Sequence, residues 1–282
     1  MRKERPSGDP RSDRPSEATP STASHDPGCA YFERLEEVER RHWWCRSVRR
    51  VALARLRRIP GERPVILDVG CGAGGFLSHV RRARPAARCV GADFSGEAVA
   101  FARTNLAGSL LRASAADLPL ASDWADAVVL HDVLQHLPRG DDARALAEAR
   151  RVLRPGGVLS LRSNIGARVE TESASLHRRY DPAALARLVR DSGFEVEKHI
   201  VLHPLAALLG RLRNRRAAPR GHSQDLEGGK GLAVNLPGPL INEAMDLYSR
   251  IEDAAITRLP NPIALGDSQL IFARKPLAGT AR

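Results

Sequence analysis

Apolar positions along this 282-residue chain recur with two different periods. Short continuous apolar runs are typical of buried strands, whereas apolar residues three or four positions apart are typical of amphipathic helices. The runs predict strands near residues 65–69, 89–93, 109–112, 127–130, 158–161, 194–200 and 268–274. Helical periodicity fills most of the intervals between them. The sequence therefore predicts an α/β protein with a doubly wound, seven-stranded and mostly parallel sheet, joined by right-handed crossovers.

The two ends of the predicted sheet depart from this alternation. Before the first strand, Tyr31, Leu35, Val38 and His42 form the apolar stripe of an amphipathic helix, and a second, basic helix follows. These helices are expected either to pack on the sheet or to form a lid over its ligand crevice. The last two strands follow the final crossover helix and are separated by an insertion, so an antiparallel edge is expected.

Composition divides the chain into segments. Residues 1–28 are rich in Pro, Ser, Thr, Arg and Asp, so they are expected to form a disordered tail that cannot offset its ordering entropy. Residues 29–60 are predicted to form the N-terminal helical lid, and residues 61–203 the core that binds the ligand. Residues 204–262 are predicted to be a helical and irregular insertion, and residues 263–282 the last strand and a C-terminal tail.

The insertion contains a proline-rich segment and one predicted helix. The apolar residues that share one face of this helix are Ile241, Met245, Tyr248, Ile251 and Ala255.

The most informative stretch of the chain is residues 64–76. An apolar run ends in Asp68 and is followed by glycines at positions 70, 72, 74 and 75, which predicts a buried strand, a tight turn and a helix. The turn fits both the Gly-x-Gly-x-x-Gly pattern of dinucleotide sites and a longer Asp-x-Gly-x-Gly-x-Gly pattern. The acid favours a ligand with cationic groups over a pyrophosphate, but the turn alone leaves both cofactor classes open.

Asp93 lies 19 positions after Gly74, at the end of the second predicted strand. An acid at about this distance meets the ribose hydroxyls of a bound nucleoside cofactor. Dinucleotides and nucleoside cofactors with cationic groups share this spacing. It therefore indicates a bound nucleoside but does not decide between the two cofactor classes. A purely structural role for Asp93, as a cap at the strand end, is the alternative.

Residues 65–200 closely resemble the class I S-adenosylmethionine (SAM)-dependent methyltransferases, in particular the type 11/12-like enzymes that methylate quinones and natural products. The motifs that carry the resemblance are residues 66–74, Val90-Gly91-Ala92-Asp93-Phe94-Ser95, Asp117-Leu118-Pro119 and residues 148–157. His42-Trp43-Trp44-Cys45-Arg46 and Gly266-Asp267-Ser268 resemble flanking segments of one subgroup. The resemblance therefore covers most of residues 30–275.

The resemblance implies SAM as the cofactor. The residues expected to bind it are Arg46, Asp68, Gly70, Cys71, Gly72, Gly74, Asp93, Phe94, Ser114, Ala115 and His131. In these roles Asp93 holds the ribose and Arg46 pairs with the methionine carboxylate. Ser114 replaces the acid that usually meets the adenine amino group, and Cys45 replaces a lid tyrosine.

Methyl transfer from SAM needs in-line alignment and, for a protonated nucleophile, a base. His136 and His131 are the candidate catalytic residues, because histidine titrates near neutral pH. His131 is expected at a strand end facing the cofactor, and His136 nearer the substrate. For each residue, ordinary packing of a polar side chain is the alternative.

The net charge of +11 raises the question of a nucleic-acid partner. Arginine is spread along most of the chain, and the one cluster (Arg211, Arg213, Arg215, Arg216 and Arg220) lies in a connection flanked by Pro and Gly. No Asn/Asp-Pro-Pro-aromatic segment follows the fourth predicted strand. We therefore expect a small-molecule acceptor, in secondary metabolism, with RNA methylation and a non-catalytic SAM-binding role as the alternatives.

The remaining expectations rest on what the sequence lacks. The four cysteines form no Cys-x-x-Cys pair, so neither a metal site nor a disulfide framework is predicted. No apolar run has the length of a membrane span, and no signal-peptide pattern is present. A cytoplasmic protein is expected, and its oligomeric state cannot be read from the sequence.

Overall fold

A computed structural model of the chain describes residues 27–106, 108–166, 178–204, 206–208, 236–258, 266, 268–277 and 279. The predicted tail 1–28 lies outside these residues except for Pro27 and Gly28, which already belong to the first helix. Most of the predicted insertion also lies outside them. No helix in the described ranges is long and apolar enough to cross a membrane.

Seven strands form one sheet with the order β3-β2-β1-β4-β5-β7-β6. Their bounds are β1 Val65–Val69, β2 Arg88–Asp93, β3 Ser109–Arg112, β4 Ala125–His131, β5 Leu153–Asn164, β6 Glu195–Leu202 and β7 Ser268–Arg274. Strands β1 to β5 pair in parallel, whereas β7 is antiparallel to both β5 and β6. The predicted fold class and its antiparallel edge are confirmed.

Seven longer helices surround the sheet in the described part of the chain. They are α1 Pro27–Arg41, α2 Trp43–Leu56, α3 Gly75–Ala83, α4 Gly96–Asn105, α5 Asp141–Val152, α6 Pro182–Asp191 and α7 Pro239–Arg258. Ser95 caps α4, because its hydroxyl accepts a hydrogen bond from the Ala98 amide at 3.2 Å. Helix α5 begins at Asp141 but is preceded by Gly140 in the left-handed region, so neither Asp141 nor Asp142 is its cap.

The hydrophobic core has two layers, one on each face of the sheet. Alternate strand positions point to opposite faces, so the neighbours Ile66 and Leu67 belong to different layers. Ile66 packs with Leu56 and Leu77, and Leu67 packs with residues that include Leu146 of α5. The alternation therefore fixes which helices cover each face, and leaves the carboxyl ends of the parallel strands at one edge.

Helix α7 packs against α2 through polar contacts. Asp246 lies buried between Arg46, Arg50 and Arg250, at 2.7, 2.7 and 2.9 Å. Asp253 accepts hydrogen bonds from Ser47 at 2.7 Å and from Arg50 at 2.8 Å. The helix predicted in the insertion is present, but its buried positions are polar. On the predicted apolar face, Ile241, Ile251 and Ala255 are exposed, and Met245 and Tyr248 are half-buried.

Arg162 on β5 joins the N-terminal helices to the sheet. Its side chain is 1% exposed and forms an ion pair with Asp132 at the end of β4. Its guanidinium lies 4.0 Å from the centre of the Trp44 ring on α2, and its Nε donates to Ser268 Oγ of β7 at 3.0 Å. One buried cation therefore connects α2, β4, β5 and β7.

Replacing Arg162 by Met should lower the free energy of unfolding by about 1–3 kcal/mol, because Ser268, Asn164 and the 30% exposed Asp132 lose their partner. The matched control is Arg154→Met on the same strand, where the arginine is 47% exposed and pairs with Asp126 at 2.8 Å. An exposed pair contributes about 0–1 kcal/mol. Urea unfolding of both variants measures the difference. Equal losses in the free energy of unfolding would show that Arg162 stabilises the fold no more than the exposed Arg154 does.

Candidate cofactor and substrate site

A cavity of about 770 Å³ lies at the carboxyl ends of β1, β2 and β4, beneath α1 and α2. Its floor is the turn after β1, and its walls are the ends of β2 and β4 and the segments that follow them. Residues of the two N-terminal helices that line it include Tyr31, Phe32, Leu35, Trp44 and Val48. This is the position at which doubly wound sheets bind their ligands.

The turn after β1 is tied to the neighbouring strand by its backbone. The amides of Gly70 and Cys71 both donate to the carbonyl of Ala92, at 2.7 and 3.0 Å. Gly72 has φ +51°, and a methyl group added there would meet nothing within 4 Å. The turn therefore leaves an open cradle beside Gly72, in a backbone conformation that favours glycine.

Asp93 closes the other side of this cradle. One of its carboxylate oxygens accepts a hydrogen bond from the Gly72 amide at 2.9 Å, and the other accepts one from the Ser95 amide at 2.9 Å. The side chain thus joins the glycine turn to the loop that starts α4. Its structural role as a strand-end anchor is present in the geometry, and a role toward the ribose stays a prediction.

The structure brings together all the predicted site residues except two. Gly74 lies outside the cavity lining, since it precedes α3 with φ +80°, and a side chain there would overlap Leu106. Arg46 also lies outside the lining. It points to α7, where it forms ion pairs with Glu243 at 3.0 Å and Asp246 at 2.7 Å. The roles predicted for Gly74 and Arg46 toward the cofactor stay predictions.

Four of the predicted cofactor residues lie on the cavity wall with distinct surroundings. Phe94 is 72% exposed and follows β2. Ser114 and Ala115 follow β3 across the cavity, and the Ser114 hydroxyl accepts a hydrogen bond from the Ala116 amide at 3.2 Å. The Cys71 thiol points into the core beside Gly91, and burial raises its pKa.

Buried acids dominate the electrostatics of the cavity. Burial, with the nearby Glu39 and Asp93 carboxylates, raises the pKa of Asp68 well above its usual value. Burial also raises the pKa of Glu39 to about 7, against the opposing effect of Arg49 and with a further increase from Asp132. Acids held in this way are stabilised by a cationic ligand, so the cavity suits a molecule that brings positive charge.

Arg49 is the one arginine or lysine among the described residues that line the cavity. Its Nη1 donates to the backbone carbonyl of Glu39 at 2.8 Å, which links α2 to α1. Burial lowers its pKa, although nearby acids oppose the change. A guanidinium at this position can pair with a carboxylate of a ligand.

The two predicted catalytic histidines line the same cavity but differ in their environments. The Nε2 atom of His131 lies 2.9 Å from Ser160 Oγ. The centres of the His131 and Phe76 rings are 5.0 Å apart. Burial lowers its pKa to about 4, so it is neutral at pH 7. His136 is exposed at the cavity mouth, with its Nε2 3.3 Å from the Gln135 amide nitrogen.

Glu39, Arg49 and Asp132 line the cavity and were missed by the sequence reasoning. Glu39 stands four positions after Leu35, on the edge of the apolar stripe of α1. An acid at the edge of an apolar stripe could have identified Glu39 as a candidate site residue. Asp132 follows β4 with φ +61°, a conformation that non-glycine residues adopt mainly at special sites. Nothing in the sequence distinguished Arg49 from its neighbouring arginines.

The sequence comparisons agree with this geometry. A family model described as "Methyltransferase domain" matches residues 67–161. A protein of Mycolicibacterium smegmatis, named a probable S-adenosylmethionine-dependent methyltransferase, is 34% identical over 197 residues, which is 67% of this chain and 70% of the relative.

Two further relatives match over a shorter stretch. An uncharacterized 37.1 kDa protein in transposon TN4556 of Streptomyces fradiae is 44% identical over 119 residues, 40% of this chain and 33% of the relative. A malonyl-[acyl-carrier protein] O-methyltransferase of Methylococcus capsulatus is 34% identical over 119 residues, 41% of this chain and 42% of the relative. The chain therefore spans less than half the length of these two relatives.

Solved structures share the fold. The partner of the Haloferax volcanii Trm112 methyltransferase activator is similar with a TM-score of 0.57 and 22% identity, over 89% of this chain and 97% of that chain. The [4+2]-cyclase SpnF is similar with a TM-score of 0.53 and 21% identity, over 82% of this chain and 81% of that chain. At this level of identity, the likeness concerns the fold alone.

The sheet order, the glycine turn and the acid at the end of β2 define a nucleoside-binding α/β enzyme. The chain belongs to the class I SAM-dependent methyltransferases, and SAM is its cofactor. The described residues fit this cofactor, because SAM carries an ammonium and a sulfonium, and the cavity offers buried acids and an open glycine cradle to meet them.

Proposed function

We propose that the protein transfers a methyl group from SAM to a hydroxyl oxygen of a small, mostly apolar molecule. The observation that carries the proposal is the covered cavity, which is acidic at the glycine turn and apolar beneath the N-terminal helices. The two parts suit a cationic cofactor and an apolar acceptor, respectively.

Different residues of the chain would bind different parts of the cofactor. Glu39 and Asp68 would face the ammonium group, and Arg49 would pair with the carboxylate of the methionyl part. Asp93 would accept hydrogen bonds from the ribose, and Ser114 and Ala115 would flank the adenine. In this arrangement Arg49 takes the role that the sequence assigned to Arg46, because Arg46 is already held by Glu243 and Asp246.

The acceptor would lie under α1 and α2, against Trp44, Phe76, Val133 and Leu137. SAM, when bound, supplies an activated methyl group. The apolar walls exclude water and hold the acceptor oxygen in line, an alignment worth about 7–11 kcal/mol in favourable cases. The fixed position of these walls depends on Trp44, whose ring is held by Arg162.

A hydroxyl acceptor needs a base, and the two histidines are unequally suited to this role. His136 is exposed at the mouth of the cavity, where it can pass a proton to solvent. His131, with a pKa of about 4, is a weak base at neutral pH. We therefore assign the base to His136, and we assign His131 to the wall, where Ser160 fixes its ring.

Charge argues against a nucleic-acid substrate. The described lining carries five acidic side chains, from Glu39, Asp68, Asp93, Asp132 and Asp141, against the guanidinium of Arg49, and Arg162 behind the lining pairs with Asp132. A polyanion would be repelled from such a site, despite the net charge of +11 on the whole chain.

The name of one relative also supports an oxygen atom as the methyl acceptor. The Methylococcus capsulatus protein, which is 34% identical over 41% of this chain, is named a malonyl-[acyl-carrier protein] O-methyltransferase. A carboxylate acceptor would enter among the same five acids, so a hydroxyl fits this cavity better. A place in secondary metabolism stays a prediction from the sequence.

The function is tested by incubating the protein with SAM that carries a labelled methyl group and three acceptor sets: phenols and other apolar alcohols, fatty acids, and total RNA. Label should enter the alcohol set and should fall at least tenfold in His136→Ala, in keeping with a base that contributes about 10²–10⁴-fold. Label in RNA, or intact SAM binding with no transfer to any set, would contradict the proposal.

The cofactor contacts predict different outcomes for two neighbouring arginines. Arg49→Met should weaken SAM binding by about 2–5 kcal/mol, the cost of truncating one partner of a desolvated charged pair. Arg46→Met is the matched control, and it should change SAM affinity little while lowering the stability of the α2–α7 contact. Calorimetric titration and thermal unfolding of both variants separate these effects, and the reverse result would restore the sequence assignment.

The raised pKa of Glu39 predicts pH-dependent SAM binding. A protonated Glu39 offers no negative charge, so affinity should rise with pH up to about 7 and then level off. Binding should release protons near pH 7, where Glu39 titrates, and Asp68, whose pKa is also raised, would contribute in the same direction.

Calorimetry in two buffers of different ionisation enthalpy counts these protons. Glu39→Gln should reduce the release by up to one proton. Glu37→Gln is the matched control on the same helix, since Glu37 pairs with Arg34 and Arg41 on the outer face. An unchanged proton count in Glu39→Gln would place the titrating group elsewhere.

A further inference from the structure

A second cavity lies at the β6 edge of the sheet, between α2, β7 and the C-terminal end of α7, and is named the β6 cavity below. Its volume is about 470 Å³, and ligand pockets usually measure about 300–1,000 Å³. The described residues that line it include Val51, Arg55, Arg58, Lys198, Ile200 and Phe272. None of its described lining residues lines the cofactor and substrate site, so the two cavities are distinct.

Helix α2 contributes to both cavities through different residues. Trp44 and Val48 in its N-terminal half line the cofactor and substrate site, whereas Val51 and Arg55 further along line the β6 cavity. The β6 cavity therefore lies at the opposite end of the same helix.

The floor of the β6 cavity is apolar. Val51 of α2, Ile200 of β6 and Phe272 of β7 are buried and belong to one apolar cluster. Apolar surface of this kind gains free energy when a ligand removes it from water. The floor therefore suits the apolar part of a ligand.

Positive charge dominates the rim of the β6 cavity. Arg55 and Arg58 lie at the C-terminal end of α2, and Lys198 lies on β6. Glu197 is the one acid among the described lining residues, and it pairs with Arg55 and with Arg274, the latter at 2.6 Å. Four cations thus share one carboxylate, and Arg58 forms no ion pair with a described residue.

A β-bulge places Glu197 and Lys198 at the same cavity. Val196 of β6 pairs with Ala273 and Lys198 pairs with Phe272, so Glu197 is an additional residue in the β6 strand. Neighbouring residues of a regular strand point to opposite faces, but these two both line the β6 cavity. Bulges change the direction of a side chain in this way and are frequent next to binding sites.

The position of Lys198 is fixed by the end of α7. Its Nζ donates hydrogen bonds to the carbonyls of Ile256 and Thr257, at 2.6 and 3.0 Å. An ammonium group has three donors, so these two contacts leave one donor for a ligand.

The cations of the rim destabilise one another. Burial, together with the nearby Arg274 and Arg58, lowers the pKa of Arg55. Burial and Arg58 likewise lower the pKa of Lys198. A negative charge close to these groups would favour their charged forms. The rim is therefore electrostatically complementary to an anion.

We propose that the β6 cavity binds a small amphiphilic anion, which carries a carboxylate or phosphate group on an apolar body. The apolar body would lie on the floor formed by Val51, Ile200 and Phe272. The anionic group would meet Arg58 and Lys198 at the rim. A guanidinium binds such oxygens through paired hydrogen bonds, and an ammonium binds them as a compact charge.

A purely structural role explains only part of this arrangement. Arg55 and Arg274 neutralise Glu197, and Lys198 caps the end of α7. These contacts give no role to Arg58, and they do not account for an apolar floor beside the cations. A ligand with both an anionic and an apolar part accounts for both features.

Three variants of the full chain locate the ligand. Ala54 lines the β6 cavity, and Ala54→Phe would fill the cavity without removing a charge, so it should weaken binding of octanoate or octyl phosphate at least tenfold. Arg58→Gln should weaken it at least fivefold. Arg57→Gln is the matched control and should leave the affinity unchanged, because Arg57 is an adjacent exposed arginine outside the cavity lining.

Calorimetric titration of each variant, saturated with S-adenosylhomocysteine, measures these affinities. The affinity for S-adenosylhomocysteine itself should be the same in all variants, which shows that they are folded. Undiminished binding of the amphiphile in Ala54→Phe would place it in another site and overturn the proposal. Equal losses in Arg57→Gln and Arg58→Gln would show a general effect of charge, and would also overturn it.

A matched set of probes tests the two parts of the ligand, and only the binding that Ala54→Phe removes is counted. Octanoate or octyl phosphate should bind, and the tighter of the two identifies the anionic group. Octanol lacks the charge, and acetate and inorganic phosphate lack the apolar body, so each should bind at least tenfold more weakly. Absence of binding by both amphiphiles, or equal binding of octanol, would overturn the proposal.

Discussion

Arg162 is a permanent positive charge that lies where water cannot reach it, and the arrangement of the site depends on how it is neutralised. Its partners come from four elements: Trp44 on α2, Asp132 after β4, Asn164 on its own strand, and Ser268 on β7. A buried guanidinium must satisfy its donors in a fixed geometry. Because Trp44 and Asp132 also line the cavity, the same charge holds the cover of the cavity in register with the ends of the strands.

Two other acids of the cavity, Glu39 and Asp68, have the opposite character, since the protein alone does not neutralise them. Glu39 has a pKa near 7 and Asp68 a pKa raised well above its usual value. A raised pKa in the folded state means that stability falls as pH rises from the unfolded value through the folded one. A cation bound between these acids reverses that loss, and ligand binding to the folded state adds stability. The site is thus destabilised in the form that best binds its cofactor.

The periodic part of the fold could be predicted from sequence, and the choice between neighbouring residues could not. Apolar runs located all seven strands, and the glycine turn with Asp93 located the cavity. Arg46, Arg49 and Arg50 stand within two turns of α2, where each residue rotates by 100°. Arg46 and Arg50 share the face that meets Asp246, whereas Arg49 shares the cavity face with Cys45. Only the position of α7, distant in sequence, separates these roles.

Helix α7 shows why that information was absent from the local pattern. Its apolar spacing was read correctly as a helix, but apolar periodicity indicates the buried face only when the neighbouring element is apolar as well. Helix α2 instead offers it Arg46, Ser47 and Arg50, and acids at matching positions of α7 are buried against them. The basic helix was already visible in the sequence. The acidic face of α7 is complementary to it. The contact between the two helices can therefore be predicted only when both faces are considered together.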